Sequence, residues 1–324
     1  MLLNLSILYR MLSFSSATDS TFAATKKIRE SIKAISELMK TRKKPIVVGI
    51  GELLWDLLPT GRKAGGAPIN FVYHASHLGA DGYAISAIGD DELGRDIIDE
   101  LKANNIQHLI EKVPYPTGTV QVELNEGIPT YQINERVAWD HIAPTSNALD
   151  LAEQADVICF GSLAQRSSQS RETIQAILSF APETAYRIFD VNLRQHYYSK
   201  ELIEESLYLS NVMKMNEEEL YTLKKLFNIE GSEEEISLWF LEKYNLRLVA
   251  LTAGANYSAL YTANEKSVLQ TPKIEVCDTV GAGDAFTSAM IISLLKGEPL
   301  KTAHQFAIQT AAFVCSKEGA WPAY

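Results

Sequence analysis

From Pro45 onward, short β-branched runs alternate with stretches of helical periodicity. Ile46-Val47-Val48-Gly49-Ile50 has the unbroken apolar character of a strand covered on both faces. The pattern predicts a helix from Ile69 to Leu78, a strand from Tyr83 to Ile88 and a helix from Leu93 to Ala103. Between Thr117 and Glu135 the period changes to two. Thr119 to Leu124 alternates strictly, Asn125-Glu126-Gly127 carries turn residues, and Thr130 to Ile133 resumes the alternation. That is a hairpin with one buried face, outside the main sheet. Strands then recur at Val157–Phe160, Arg187–Asp190, Val212–Met215 and Leu248–Leu251, with helical stretches between them. Two long apolar helices, about Ala285–Leu295 and Leu300–Ser316, close the chain. Repeated βα units imply a mainly parallel sheet with helices on both faces and ligands at the carboxyl ends of its strands. The expected fold class is α/β, with a small β lid formed around 52–64 and 117–137.

Composition sharpens this picture at two points. The net charge of −10 over 324 residues leaves no basic surface for nucleic acid, although a nucleotide needs only a few amides and one cation. The first 44 residues are basic on balance, with Ile28, Ile32, Ile35 and Leu38 at helical spacing, and Met39 offers an alternative start. Residues 1–44 are expected to be an extension outside the fold, and 45–324 the functional domain. No apolar run reaches membrane-spanning length, and the extreme N-terminus lacks the charged region and cleavage site of a secretory signal. Cys159, Cys277 and Cys315 have no CxxC spacing and read as buried thiols of a reducing, cytoplasmic compartment.

The strongest chemical signal is Asp278-Thr279-Val280-Gly281-Ala282-Gly283-Asp284, running directly into an apolar helix. Small residues at 281–283 let backbone N–H groups converge on an anion at a helix N-terminus. Asp284 beside them fits a base that takes a proton from an attacking hydroxyl. From spacing alone, a helix-capping aspartate after a glycine turn is an equal reading. Near the start of the domain, Gly65-Gly66-Ala67-Pro68-Ile69-Asn70 permits close backbone approach to a ligand, and Asn70 offers both a donor and an acceptor. An ordinary turn before a helix explains the same residues.

Together these segments resemble the ribokinase-like, or PfkB, carbohydrate kinases, in appearance closest to fructokinases. The resemblance implies that Asp284 is the catalytic base and that Gly281, Ala282 and Gly283 form the anion hole. Asp56, in Gly51-Glu52-Leu53-Leu54-Trp55-Asp56, and Gly65, Gly66 and Asn70 would hold the sugar. Asn192 and Arg194, in Asp190-Val191-Asn192-Leu193-Arg194, would border sugar and phosphates, and Arg136 would reach the sugar from the lid. Asn216, Thr252 and Gly254 would serve the nucleotide, with Glu219 positioning Mg²⁺ through water. Tyr257 stands where the family usually has a glycine. Asp278, Val280 and Gly319 match a monovalent-cation site, implying K⁺ as a possible activator. The implied reaction uses ATP and Mg²⁺ to phosphorylate a sugar hydroxyl, D-fructose to fructose 6-phosphate first. Ribose, 2-keto-3-deoxygluconate and a nucleoside are the alternatives, and family members often pair their lids as homodimers. A catalytically silent sugar-binding regulator would have lost the base or the glycines, and a dinucleotide oxidoreductase would need G-x-G-x-x-G after the first strand, which Leu54 breaks. His74 and His77, at i, i+3, have no acid or cysteine partner at metal-binding spacing and read as packing residues. Trp139, after the lid hairpin, is a weaker sugar-stacking candidate.

Overall fold

The alternation of side chains along β1 (Ile46–Ile50) builds both layers of the protein. Val47 packs into one apolar layer and Val48 and Ile50 into the other. Each of these fully buried side chains contributes roughly 2 kcal/mol relative to exposure. The computed structural model describes residues 44–58, 61–125 and 128–324. Pro45–Tyr324 is one compact unit. The expected helical periodicity before residue 44, and Glu126-Gly127 of the hairpin turn, lie outside the described residues.

After β1 come β2 (Leu54–Leu58), β3 (Gly61–Gly65), α1 (Ala67–His77), β4 (Asp81–Gly89), α2 (Glu92–Ala103) and β5 (Gln107–Val113). The hairpin β6 (Gly118–Asn125) and β7 (Ile128–Ile133) follows, then α3 (Ser146–Ala152), β8 (Val157–Gly161) and α4 (Ser168–Phe180). Next are β9 (Tyr186–Asp190), α5 (Lys200–Leu209), β10 (Val212–Asn216), α6 (Glu217–Phe227) and α7 (Glu233–Lys243). The chain ends with β11 (Leu248–Ala253), β12 (Tyr257–Tyr261), β13 (Lys266–Gln270), α8 (Ala282–Leu295) and α9 (Leu300–Cys315).

The main sheet has nine strands in the order β13-β12-β11-β10-β9-β8-β1-β4-β5. It is parallel from β11 to β5, and β12 and β13 return antiparallel. Successive connections leave β1 in opposite directions, toward β4 and toward β8. A doubly wound sheet opens a crevice at such a reversal, at the carboxyl ends of the strands. Side chains of α1, α8 and α9 share the layer of Val47, and those of α4, α5, α6 and α7 share the layer of Val48. The second sheet, β3-β2-β6-β7, is the expected lid. Its centre is a parallel pairing of β2 with β6, between segments far apart in sequence.

Two readings need correction or addition. Cys159 is buried, but Cys277 is exposed and Cys315 only partly covered, so the three are not a set of buried thiols. The hairpin β12–β13 and strand β5 are additional strands. Tyr257 opens β12 opposite Ala253, and the connection turns at Gly254, whose φ of 51° favours glycine. No helix among the described residues is long and apolar enough to cross a membrane.

The crossing of α1 over β1 depends on Gly49. A Cβ there would lie 2.1 Å from the Pro68 carbonyl oxygen and 2.6 Å from a Val72 methyl. Gly49→Ala is expected to lower stability by about 2–3 kcal/mol, because backbone cannot yield as a flexible side chain can. A reduced urea midpoint with unchanged slope would show it, and an unchanged midpoint would refute the close approach.

Candidate active site

The crevice between β1 and β8 gathers ionisable groups from the ends of several strands. Asp190 is the last residue of β9, and its direct partner across the parallel ladder is Lys214 on β10. Their side chains are 9% or less exposed, and Lys214 Nζ donates to Asp190 Oδ1 at 3.1 Å. On the same side lies the start of α8, where a Cβ on Gly283 would come 3.1 Å from Lys214 Nζ. The glycine therefore admits an ammonium against the first turn of the helix. Gly281, at φ 77°, is the N-cap of α8, and a Cβ there would lie 2.8 Å from the Ala320 Cβ.

This arrangement separates the two readings of Asp284. The cap of α8 is Gly281, with no side-chain capping bond, so Asp284 is not a capping aspartate. Its carboxylate instead accepts a hydrogen bond from Asn70 Nδ2 at 2.8 Å, which ties the first turn of α8 to α1. Burial, and secondarily the nearby Asp190 carboxylate, push the Asp284 carboxyl up to about 7, opposed by Lys214, Asn70 and Arg194. Glu52, just after β1, is 2% exposed, and burial raises it to about 7 against the pull of its backbone contacts and Arg194. One of its oxygens accepts from Ala67 N at the start of α1, and the other has no partner among the described residues. Asp56 on β2 is raised by burial to about 6, with Arg194 again opposing. Burial penalises Lys214, yet Asp190, Glu219 and Asp284 around it more than compensate, so it stays protonated.

The structure places the other expected residues as follows. Gly65 faces Asp56, a Cβ there lying 3.0 Å from Asp56 Oδ2. Gly66, at φ 120°, leaves only 2.1 Å between a Cβ and the Glu52 carbonyl oxygen. Asn192 is buried in a left-handed turn at φ 39° after β9, and Arg194 is exposed beyond it. Asn216 caps α6 and forms a reciprocal box with Glu219. Both Glu219 oxygens accept backbone N–H groups, from Leu193 at 3.1 Å and Asn216 at 2.8 Å. That carboxylate therefore staples the turns after β9 and β10 together. Thr252 and Gly254 lie at the end of β11. Asp278 accepts from Val280 N at 3.0 Å and Gly319 N at 2.9 Å, so the three residues expected at a cation site do meet. Arg136 is exposed at φ 56° and has no hydrogen bond to this cluster among the described residues. The buried arginine on that side is Arg166, which binds both oxygens of Asp140 at 2.8 and 3.0 Å and lies 3.9 Å from the Trp139 ring centroid. Trp139 is 1% exposed and is a packing residue beneath that pair.

The family model for pfkB family carbohydrate kinases matches residues 59–323. The chain belongs to the PfkB family of carbohydrate kinases. It is similar to an uncharacterized sugar kinase of Pyrococcus horikoshii, 30% identical over 299 residues, covering 85% of this chain and 92% of the relative. The crystal structure of that kinase in complex with ATP superposes with a TM-score of 0.73 over 85% of this chain and 94% of the other. A fructokinase of Rhizobium leguminosarum bv. trifolii is 27% identical, covering 81% of this chain and 83% of its own. A 5-dehydro-2-deoxygluconokinase of Bacillus cereus is 28% identical, covering 78% of this chain and 80% of its own. This PfkB protein is thus an ATP-dependent sugar kinase.

Sequence reasoning passed over Glu52 as a buried acid, and over Lys214 and Trp321. Lys214 had a signal, a lone charge inside the apolar run Val212-Met213-Lys214-Met215. Trp321 had none, since only folding brings the tail to Asn70, where its Nε1 donates to Oδ1 at 2.9 Å. In this PfkB kinase, Lys214→Met leaves the buried Asp190 charge without its partner, and a loss of about 3–5 kcal/mol in urea unfolding is expected. Adding Asp190→Leu should recover part of that loss. A single variant as stable as the parent would remove the pair from the account.

Proposed function

We propose that this kinase transfers the γ-phosphoryl group of ATP to a hydroxyl of a neutral sugar, D-fructose first, giving fructose 6-phosphate and ADP. The observation that carries the choice of a neutral acceptor is the charge of the crevice. Glu52, Asp56, Asp190, Glu219 and Asp284 face Lys214 and Arg194, and Lys214 is already committed to Asp190. A sugar acid or sugar phosphate entering there would add charge of the sign already in excess. Ribose and nucleosides satisfy the same constraint and are the second reading. 2-Keto-3-deoxygluconate and the substrate class named for the Bacillus relative are acids, and are disfavoured by the same argument.

In this reading Asp284 accepts the proton of the attacking hydroxyl as its oxygen bonds the γ-phosphorus and the bond to the β-phosphate oxygen breaks. The first-turn amides of α8 at Gly281, Ala282 and Gly283, aided by Lys214 next to Gly283, stabilise the charge on the transferring group. Asp56 and the Gly65–Gly66 backbone orient the sugar. Asn192 and Arg194 flank the join, and Asn216, Thr252 and Gly254 lie toward the nucleotide. Among the described residues no group of three or more His, Cys, Asp or Glu is arranged to hold a metal. Mg²⁺ would arrive with ATP, and Glu219 would position it through water. Mg²⁺ supplies neutralisation of phosphate charge. Asp278, Val280 and Gly319 would hold K⁺ largely through backbone oxygens. Residues 1–44 are read as an extension outside this catalytic unit, and the lid sheet as the face of a cytoplasmic homodimer, testable by light scattering.

ADP release with Mg-ATP and a panel of fructose, ribose, nucleosides, sugar acids and fructose 6-phosphate tests the assignment. Fructose should give the highest kcat/KM, and Asp284→Ala should lower kcat by about 10²–10⁴-fold. A preferred acid or phosphate would overturn the charge argument. Because the Asp284 carboxyl is raised to about 7 and its ionised form is the active one, activity is lost as pH falls through that value. kcat/KM should therefore rise about tenfold from pH 6 to pH 8. A flat profile over that range would mean that another group limits the reaction.

A further inference from the structure

The C-terminal tail reaches the proposed base through one intermediary. Trp321 Nε1 donates to Asn70 Oδ1 at 2.9 Å, and Asn70 Nδ2 donates to Asp284 Oδ2 at 2.8 Å. An indole N–H can only donate, so the Asn70 carbonyl must face it and the NH₂ group must face the carboxylate. The tail is pinned where this geometry requires. The Trp321 and Tyr73 rings stack with centroids 5.3 Å apart and planes 4° from parallel. Tyr73 Oη donates to the Pro322 carbonyl at 2.7 Å, and Tyr324 Oη pairs with His74 Nδ1 at 2.7 Å. On the other side of α1, Ser288 Oγ of α8 donates to the Phe71 carbonyl at 2.7 Å, holding the two helices in register.

We propose that Trp321 is a positioning residue for phosphoryl transfer, fixing the Asn70 amide so that it always presents its NH₂ group to Asp284. The orientation matters because the two faces of an amide favour opposite protonation states. The NH₂ face stabilises the carboxylate, the form able to accept a proton. The carbonyl face would accept from the protonated acid and stabilise the idle form. An amide free to turn over would follow the protonation of Asp284, whereas one held by Trp321 resists it. The other groups acting on Asp284 are Asp190 from β9, Lys214 from β10 and Arg194 from the loop after β9, and none of them can reverse its preference in this way. The inference rests on the reading of Asp284 as the base. It also gives Asn70 a duty toward the base, with one amide hydrogen left for a sugar oxygen.

Trp321→Phe keeps the stack on Tyr73 and removes the N–H. The expected result is an acid limb of kcat/KM displaced upward by about one pH unit. Activity below pH 7 should fall about tenfold, with the plateau above pH 8.5 within about twofold of the parent. In an Asn70→Ala background the same substitution should have no further effect on the profile, because the intermediary is gone. Tyr324→Phe, which removes the bond to His74 but keeps the Trp321 N–H, should displace the acid limb less than Trp321→Phe does. If Trp321→Phe does not fold, 3-benzothienylalanine at 321 preserves the ring shape and replaces only the N–H by sulfur. A superimposable profile, an equal loss at every pH, or an undiminished effect without Asn70 would each overturn the proposal. Full activity in Asp284→Ala would instead overturn the assignment of the base, which keeps the two failures apart.

Discussion

The buried ammonium of Lys214 allows a group of carboxylates to occupy one crevice. Asp190, Glu219 and Asp284 all act on it, and without it their mutual repulsion would add to the cost of burial. Its position follows from the sheet. Parallel pairing of β9 and β10 sets Asp190 and Lys214 side by side, and the pleat turns Lys214 toward the layer that contains α8. Gly283 leaves room for that ammonium, since a Cβ there would lie 3.1 Å from Nζ and press on it. A strand register, an ion pair and a helix start thus form one structural unit, and the proposed chemistry sits on it.

A second constraint is the convergence of distant segments on α1. The helix starts at Gly66, where the chain passes within contact of the Glu52 backbone, and Glu52 accepts from its first-turn amide. Its middle carries Asn70 to Asp284, and the buried Tyr73 and His74 on its next turn receive the aromatic tail. Gly49 within β1, Gly66 before α1 and Gly281 before α8 each allow a close approach to another backbone segment around this site. Carboxylates outnumber cations in this region, which is the basis for proposing an uncharged acceptor.

Much of the fold was legible because its elements have clear periods. The β-branched run at 46–50, the alternation at 119–124 and 130–133, and the apolar helices after Gly283 and Pro299 match strands and helices to within a few residues. Strands β5, β12 and β13 were not, because they lie at or near the sheet edges and carry mixed polar residues that pair only once neighbours are in place. In the site, the Asp278–Asp284 segment and the paired glycines at 65 and 66 were visible as motifs. The role of Glu219 as a staple between two turns was not, since its helix-start context fits several uses equally.

The sequence by itself determined the α/β layering, the separate small sheet, the helix start at 281–284 and the acidic character of the domain. These are local or compositional properties, set by period, residue size and charge. Only the tertiary structure decided which face of Asn70 meets Asp284, that Lys214 lies against Gly283, and that Arg166 is the buried arginine while Arg136 is exposed. Each of these depends on contacts between segments far apart in the chain. Hydrogen-bond direction and burial are properties of such contacts, and no residue carries them alone.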